Sequence, residues 1–143
     1  MPMPTLAGRF PVDDHQIIRV PGGIMPFVDE EYILLTGPEA EPFARLQSLG
    51  QPGVGFIVVV PEVVYGPGVL ELGENERRLV GLEPEEQPLI LALMALGESL
   101  EQHTVNLLAP LVINPRTNRG QQIILAGDLD LLNVPLPVLL KAA

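Results

Sequence analysis

The residues best able to do chemistry are few. His15 and His103, with Glu98 and Glu101 beside the second, are the candidates for a metal or a proton-transfer pair. Neither histidine has a partner at a ligand spacing such as His-x-x-x-His, and Glu98, Glu101 and His103 fall in a turn rather than on one preorganised element. A lone histidine among apolar strands is more often a hydrogen-bonded structural residue. Ser48 and Ser99 lie in no Gly-x-Ser-x-Gly setting, so no nucleophile elbow is expected. Gly50-Gln51-Pro52-Gly53-Val54-Gly55 does not make a phosphate cradle either, because Pro52 intrudes and a strand follows where a helix is needed. The carboxylate pairs (Asp13 with Asp14, Glu30 with Glu31, Glu85 with Glu86) read as solvated loop surface; a general acid and base need two different environments. There are no cysteines, which excludes disulfides and thiolate metal sites. The expectation is therefore no catalytic residue, no metal, no cofactor and no enzyme.

Charge narrows the partners. Eighteen acidic against eight basic side chains give a formal net charge of −10. Such a surface repels phosphate, so direct nucleic-acid binding is not expected. It serves solubility and can also steer a basic protein partner. No apolar run approaches the roughly 20 residues a membrane helix needs, and the start has no basic region followed by an apolar one. A soluble cytoplasmic protein without membrane contact is expected. One domain over residues 1–143 fits the length, with 1–7 and 127–143 as possible extended tails.

The elements that must position any site are read from punctuation: 16 prolines and 14 glycines break the chain at short intervals. Gly8 to Val12, Gln16 to Val20, Tyr32 to Thr36, Phe43 to Leu49 and Val54 to Val60 read as short strands. Val63 to Leu72 carries Gly66-Pro67-Gly68 and reads as a loop with a further short strand. Asn75 to Leu82 is the predicted helix, with Asn75 as its cap. Pro88 to Leu96 fits a buried strand, although periodicity alone leaves a buried helix open. Leu131 to Leu140, interrupted by Pro135 and Pro137, should be extended rather than helical. The sum is an all-β domain of about nine short strands and one short helix, a small antiparallel barrel or a sandwich.

The densest pattern runs from His103 to Leu125. Thr104 to Asn114 is apolar on both faces, Leu107, Ala109, Leu111 and Ile113 against Leu108, Pro110 and Val112, so it should be covered on both. Turn formers from Asn114 to Gly120 then predict a hairpin loop of about five or six residues, exposed over Arg116 to Arg119, before Gln121 to Leu125 resumes the strand. Pro110 cannot donate to a ladder and should mark a bulge. Asn106 and Asn114 would share a face of an uninterrupted strand, and a bulge breaks that phase. Their expected role is to bond neighbouring backbone, since an unpaired buried amide costs roughly 1–3 kcal/mol.

These residues also carry a resemblance. Thr104-Val105-Asn106-Leu107-Leu108-Ala109-Pro110-Leu111-Val112-Ile113-Asn114, followed by Arg119-Gly120-Gln121-Gln122, resembles the signature of the flagellar assembly factor FliW family. Leu46-Gln47-Ser48-Leu49, Phe56-Ile57-Val58-Val59 and Pro61 resemble its middle strand pair, and Gly81-Leu82 before an acidic, Pro-bearing loop resembles its helix and the strand after it. The likeness runs from about Ile17 to Leu125. Gly23-Ile24-Met25-Pro26-Phe27 departs from the family's Gly-x-Pro-Gly-Phe, and Val60 stands where an acidic residue is common. The resemblance implies a small closed or nearly closed β-barrel and a non-enzymatic cytoplasmic regulator. Such a regulator binds CsrA, a small basic RNA-binding protein, relieves its repression of flagellin translation, and also binds flagellin. Thr104, Asn106, Pro110, Asn114 and Gly120 would then be structural signature residues of the hairpin. From charge alone, Glu83, Glu85 and Glu86 are the candidate partner-binding residues, with an apolar groove for a flagellin helix. The alternative is a barrel binding a metabolite or metal through His15, His103 and the Glu98–Glu101 loop.

Overall fold

The computed structural model describes residues 16–39, 41–99 and 102–136. The predicted strand Gly8 to Val12, His15, Glu101 and residues 137–140 of the C-terminal apolar run lie outside that range. Eight strands are described: β1 (Ile18–Arg19), β2 (Glu31–Leu35), β3 (Phe43–Ser48), β4 (Gly55–Val59), β5 (Leu89–Ala95), β6 (Thr104–Asn114), β7 (Arg119–Gln122) and β8 (Val134–Pro135). Two short helices, α1 (Pro61–Tyr65) and α2 (Glu74–Leu79), lie between β4 and β5.

Seven of the strands close into a barrel. The order is β5-β4-β3-β2-β1-β7-β6, and β5 pairs with β6 to complete the ring, while β8 adds to the first residues of β6. Every pairing is antiparallel except β1 with β7, which is parallel and rests on the single pair Arg19 and Arg119. Alternation along the strands sends Ile18, Tyr32, Leu46, Val58, Leu91, Leu93, Leu111 and Ile113 to one buried cluster. Residues from six strands can meet in this way only inside the ring.

Two further clusters coat the outside of β5 and β6. Val59, Ala92, Val105 and Leu107 pack under Val64 and Tyr65 of α1 and under Leu131, Val134 and Leu136. Val112 and Ile123 pack under Val80, with Leu72 and Leu82 alongside. A strand covered on both faces has no solvent side to mark with polar residues, which is why β5 and β6 read as continuous apolar runs.

Local chemistry departs from the sequence reading in three places. Val63 to Leu72 holds no strand. Pro61 instead opens α1, where its missing N–H is no loss, and Gly66 at φ 103° ends it. The second helix is capped by Gly73 rather than Asn75, since Gly73 N–H donates to Glu76 Oε1 at 2.8 Å, a glutamate three residues on. Leu129–Leu132 forms one turn of 3-10 helix before β8, because Pro135 stops a helix only from propagating through it. Two short helices and this turn therefore replace the single helix expected.

Candidate binding site

The β6–β7 hairpin organises the surface. Leu91 pairs with Leu111 but Leu93 pairs with Asn106, so residues 107–110 of β6 lie opposite Ala92 alone. This is the bulge expected at Pro110. Asn106 Oδ1 holds it by accepting the N–H groups of Leu108 (2.9 Å) and Ala109 (3.0 Å). Thr104 pairs with Ala95 on one side and Pro135 on the other, at the β8 end of the strand.

At the far end, Asn114 is 1% exposed and fully bonded. Its Nδ2 donates to Val80 O (3.0 Å) and Gly81 O (3.2 Å), and its Oδ1 accepts Arg116 N–H (3.0 Å). One side chain thus joins the end of α2 to the hairpin turn. The turn itself is four residues, Pro115 to Asn118, shorter than expected, with Asn118 at φ 56° where asparagine is tolerated. Arg116, Thr117 and Arg119 are exposed as expected, while Asn118 is half-buried. Gly120 is buried opposite Ile113, and a Cβ there would lie 2.9 Å from Ile113 Cγ1.

The acidic turn at Glu83–Glu86 stands beside this end. Arg116 Nε meets Glu86 Oε2 at 2.8 Å, and Glu86 Oε1 accepts Glu83 N–H at 2.8 Å. Arg77 Nη2 donates to the carbonyls of Glu83 (2.8 Å), Pro84 (3.3 Å) and Glu86 (2.8 Å). The Arg116 hydrogen bond, and after it the bond from Glu83 N–H, holds the Glu86 carboxyl below the usual glutamate range. The three candidate glutamates therefore differ. Glu86 is half-buried and tied to Arg116, whereas Glu83 and Glu85 are exposed on a turn that two arginines stiffen. Neither arginine was singled out from the sequence. The available signal was a Pro-bearing acidic turn whose carbonyls require donors.

A second surface is apolar. Leu34 and Thr36, Phe43 and Ala44, and Val58–Val60, together with Leu89 and Leu91, line an open groove of about 450 Å³ at one end of the barrel. Val63 of α1, 69% exposed, borders it, and the acidic Glu41 also lines it.

The alternative site is not assembled by what is described. His103 Nδ1 accepts Gly97 N–H (2.9 Å) and Gln102 Oε1 accepts Glu98 N–H (2.8 Å), so this segment closes the β5–β6 turn on itself. Among the described residues no three His, Cys, Asp or Glu side chains gather as a metal would need, and no helix is long and apolar enough to cross a membrane.

Comparison with known proteins follows the same lines. The model of the family described as FliW protein matches residues 3–136. The chain belongs to the FliW family. It is 34% identical over 133 residues to the flagellar assembly factor FliW of Caldanaerobacter subterraneus subsp. tengcongensis, covering 92% of this chain and 89% of that protein. It is 35% identical over 122 residues to that of Desulfitobacterium hafniense, covering 85% and 80%. The crystal structure of a flagellar assembly factor FliW superposes with a TM-score of 0.74 at 25% identity, over 88% of this chain and 87% of that one. The barrel is thus that of the FliW family, and flagellar assembly is the role its members carry in their names.

Proposed function

We propose that this flagellar assembly factor works in the cytoplasm as a non-enzymatic regulator. It binds the basic translational regulator CsrA, relieving repression of flagellin mRNA, and it binds flagellin as a competing partner. The observation that carries the CsrA half is the stiffened acidic turn on a chain of net charge −10, where Glu83 and Glu85 are exposed and pre-positioned by Arg77 and Arg116. A turn whose carbonyls are already held by the Arg77 guanidinium loses little entropy on binding a cationic surface. Its charge raises the encounter rate with a basic partner and repels RNA, so competition for CsrA needs no RNA contact by this chain. The apolar groove at the barrel end supports the flagellin half, since an amphipathic helix lays its apolar face into such a groove.

The deciding experiment is calorimetric titration with CsrA from the same organism at two salt concentrations. The expected result is a saturable complex that weakens as salt rises. Absence of any complex at low salt would sink the reading.

A further inference from the structure

The basic side chains of this acidic chain are not spread evenly. Arg78, Arg116 and Arg119 line one cleft of about 460 Å³ between the end of α2 and the β6–β7 turn, and no acidic side chain among the described residues lines it. Arg116 is committed to Glu86. Arg78 and Arg119 have no carboxylate partner among the described residues. Leu79, the last residue of α2 and next to Arg78 in the chain, lines the same cleft and is 56% exposed, and Pro21 of the loop after β1 lines it too. A guanidinium is a planar fork matched to a carboxylate, and two forks without a carboxylate partner among the described residues, sharing a cleft with an exposed leucine, suit two acids and one apolar side chain.

We propose that this cleft docks a short acidic peptide segment of a protein partner, with its carboxylates on Arg78 and Arg119 and an apolar side chain on Leu79. The surface is adjacent to the acidic turn but opposite in sign, and the inference stands whether or not CsrA and flagellin are the partners. Charge complementarity selects this occupant over a nucleic acid. A polyanion gains affinity by neutralising several phosphates in a row, and a strand leaving this cleft meets a surface of net charge −10, beginning with Glu86 across Arg116. Inorganic phosphate makes no use of Leu79.

The test uses a fluorescein-labelled synthetic peptide of glutamates with a central leucine, titrated against the full chain by fluorescence anisotropy. Two-dimensional amide NMR then maps the site. Saturable binding is expected, with shifts centred on Arg78, Leu79 and Arg119. The double variant Arg78→Glu with Arg119→Glu should lose about tenfold or more in affinity, in keeping with removal of charge-assisted hydrogen bonds. Leu79→Ser should weaken binding without altering net charge, which separates docking from long-range attraction. Thermal melts identify any variant that fails to fold, in which case Arg78→Gln with Arg119→Gln takes its place. Unchanged affinity in the folded variants, shifts centred elsewhere, or equal competition by inorganic phosphate or an RNA oligonucleotide would overturn the proposal.

Discussion

Asn106 and Asn114 lie on one strand, eight residues apart, and face opposite sides of it. Asn106 pairs with Leu93, an interior residue, while Asn114 lies on the outer side with Val112 and bonds α2. Even spacing puts two side chains on the same face only if the strand is uninterrupted. Four residues of β6 opposite one of β5 reverse the phase between them. The bulge therefore lets one strand pair with β5 on both sides of it while its outer face meets the α1 layer before the bulge, through Val105 and Leu107, and the α2 layer after it, through Val112.

That division predicts unequal costs. Asn114→Ala removes three hydrogen bonds from a buried position and takes the side-chain donor from the Val80 carbonyl at the end of α2, while Gly81 O keeps Arg116 Nη2, so it should cost about 2–3 kcal/mol. Asn106→Ala frees two N–H groups at a half-buried bulge and should cost about 1–2 kcal/mol. Urea unfolding with unchanged slope measures both. Equal or negligible losses would show that the amides do not hold the strand.

The two tyrosines should respond in opposite directions to loss of their hydroxyls. Tyr32 is fully buried in the barrel and its hydroxyl has no partner among the described residues. Burial, and secondarily the charge of Asp29, pushes its phenol up to about 12. Tyr32→Phe removes an unpaired buried polar group and should leave stability unchanged or raise it. Tyr65 donates to Val134 O (3.3 Å) and Pro135 O (3.0 Å), which ties β8 to α1, so Tyr65→Phe should cost about 1 kcal/mol. A raised folded-state value favours the neutral phenol in the native protein. The Tyr32 contribution is thus whole below its unfolded value of about 10 and is lost as pH rises toward 12. Alkaline unfolding followed at 295 nm should show that loss in the parent and less of it in Tyr32→Phe. A destabilised Tyr32→Phe would refute the assignment.

Glu86 sets the acid side. Its carboxyl is held below the usual range by Arg116, so the pairing stabilises the fold above the unfolded glutamate value and is lost as pH falls through the lower folded one. Carboxyl NMR titration should place Glu86 below the usual glutamate range, and Arg116→Ala should move it up. Glu86→Gln should make unfolding less sensitive to pH in the same acidic window. A Glu86 titration in the ordinary range, unmoved by Arg116→Ala, would contradict this.

What the sequence made legible follows from the range of each interaction. β6 ends where its composition says, at Thr104 and Asn114, because a doubly covered strand and a dense turn are both written in adjacent residues. The bulge is readable from Pro110, which removes a donor whatever its surroundings. Gly73 as a cap is not readable in the same way, since Asn75 is a better capping residue by type and only the reach of Glu76 decides against it. The clamp on the acidic turn is less visible still. Arg116 and Glu86 are 30 residues apart, and Arg77 bonds three carbonyls, groups that every residue possesses. Charge identified the turn, but the fold decides that Glu86 faces inward and Glu83 and Glu85 outward.

That sorting yields the sharpest functional prediction. If the turn meets a basic partner, the exposed carboxylates carry the long-range attraction, and Glu86 carries the shape of the turn. Glu83→Lys with Glu85→Lys should reduce CsrA affinity by about tenfold, mainly through the association rate, and flatten the salt dependence. Its circular dichroism and melting temperature should match the parent, because the clamp holds Glu83 through its backbone N–H and C=O and not through the carboxylates of Glu83 or Glu85. Glu86→Gln should instead leave the salt dependence intact while increasing dissociation, because a loosened turn must be ordered again at each encounter. Surface-sensor kinetics at two salt concentrations separate these effects. If reversing Glu83 and Glu85 leaves the association rate unchanged, the acidic turn is not where CsrA arrives.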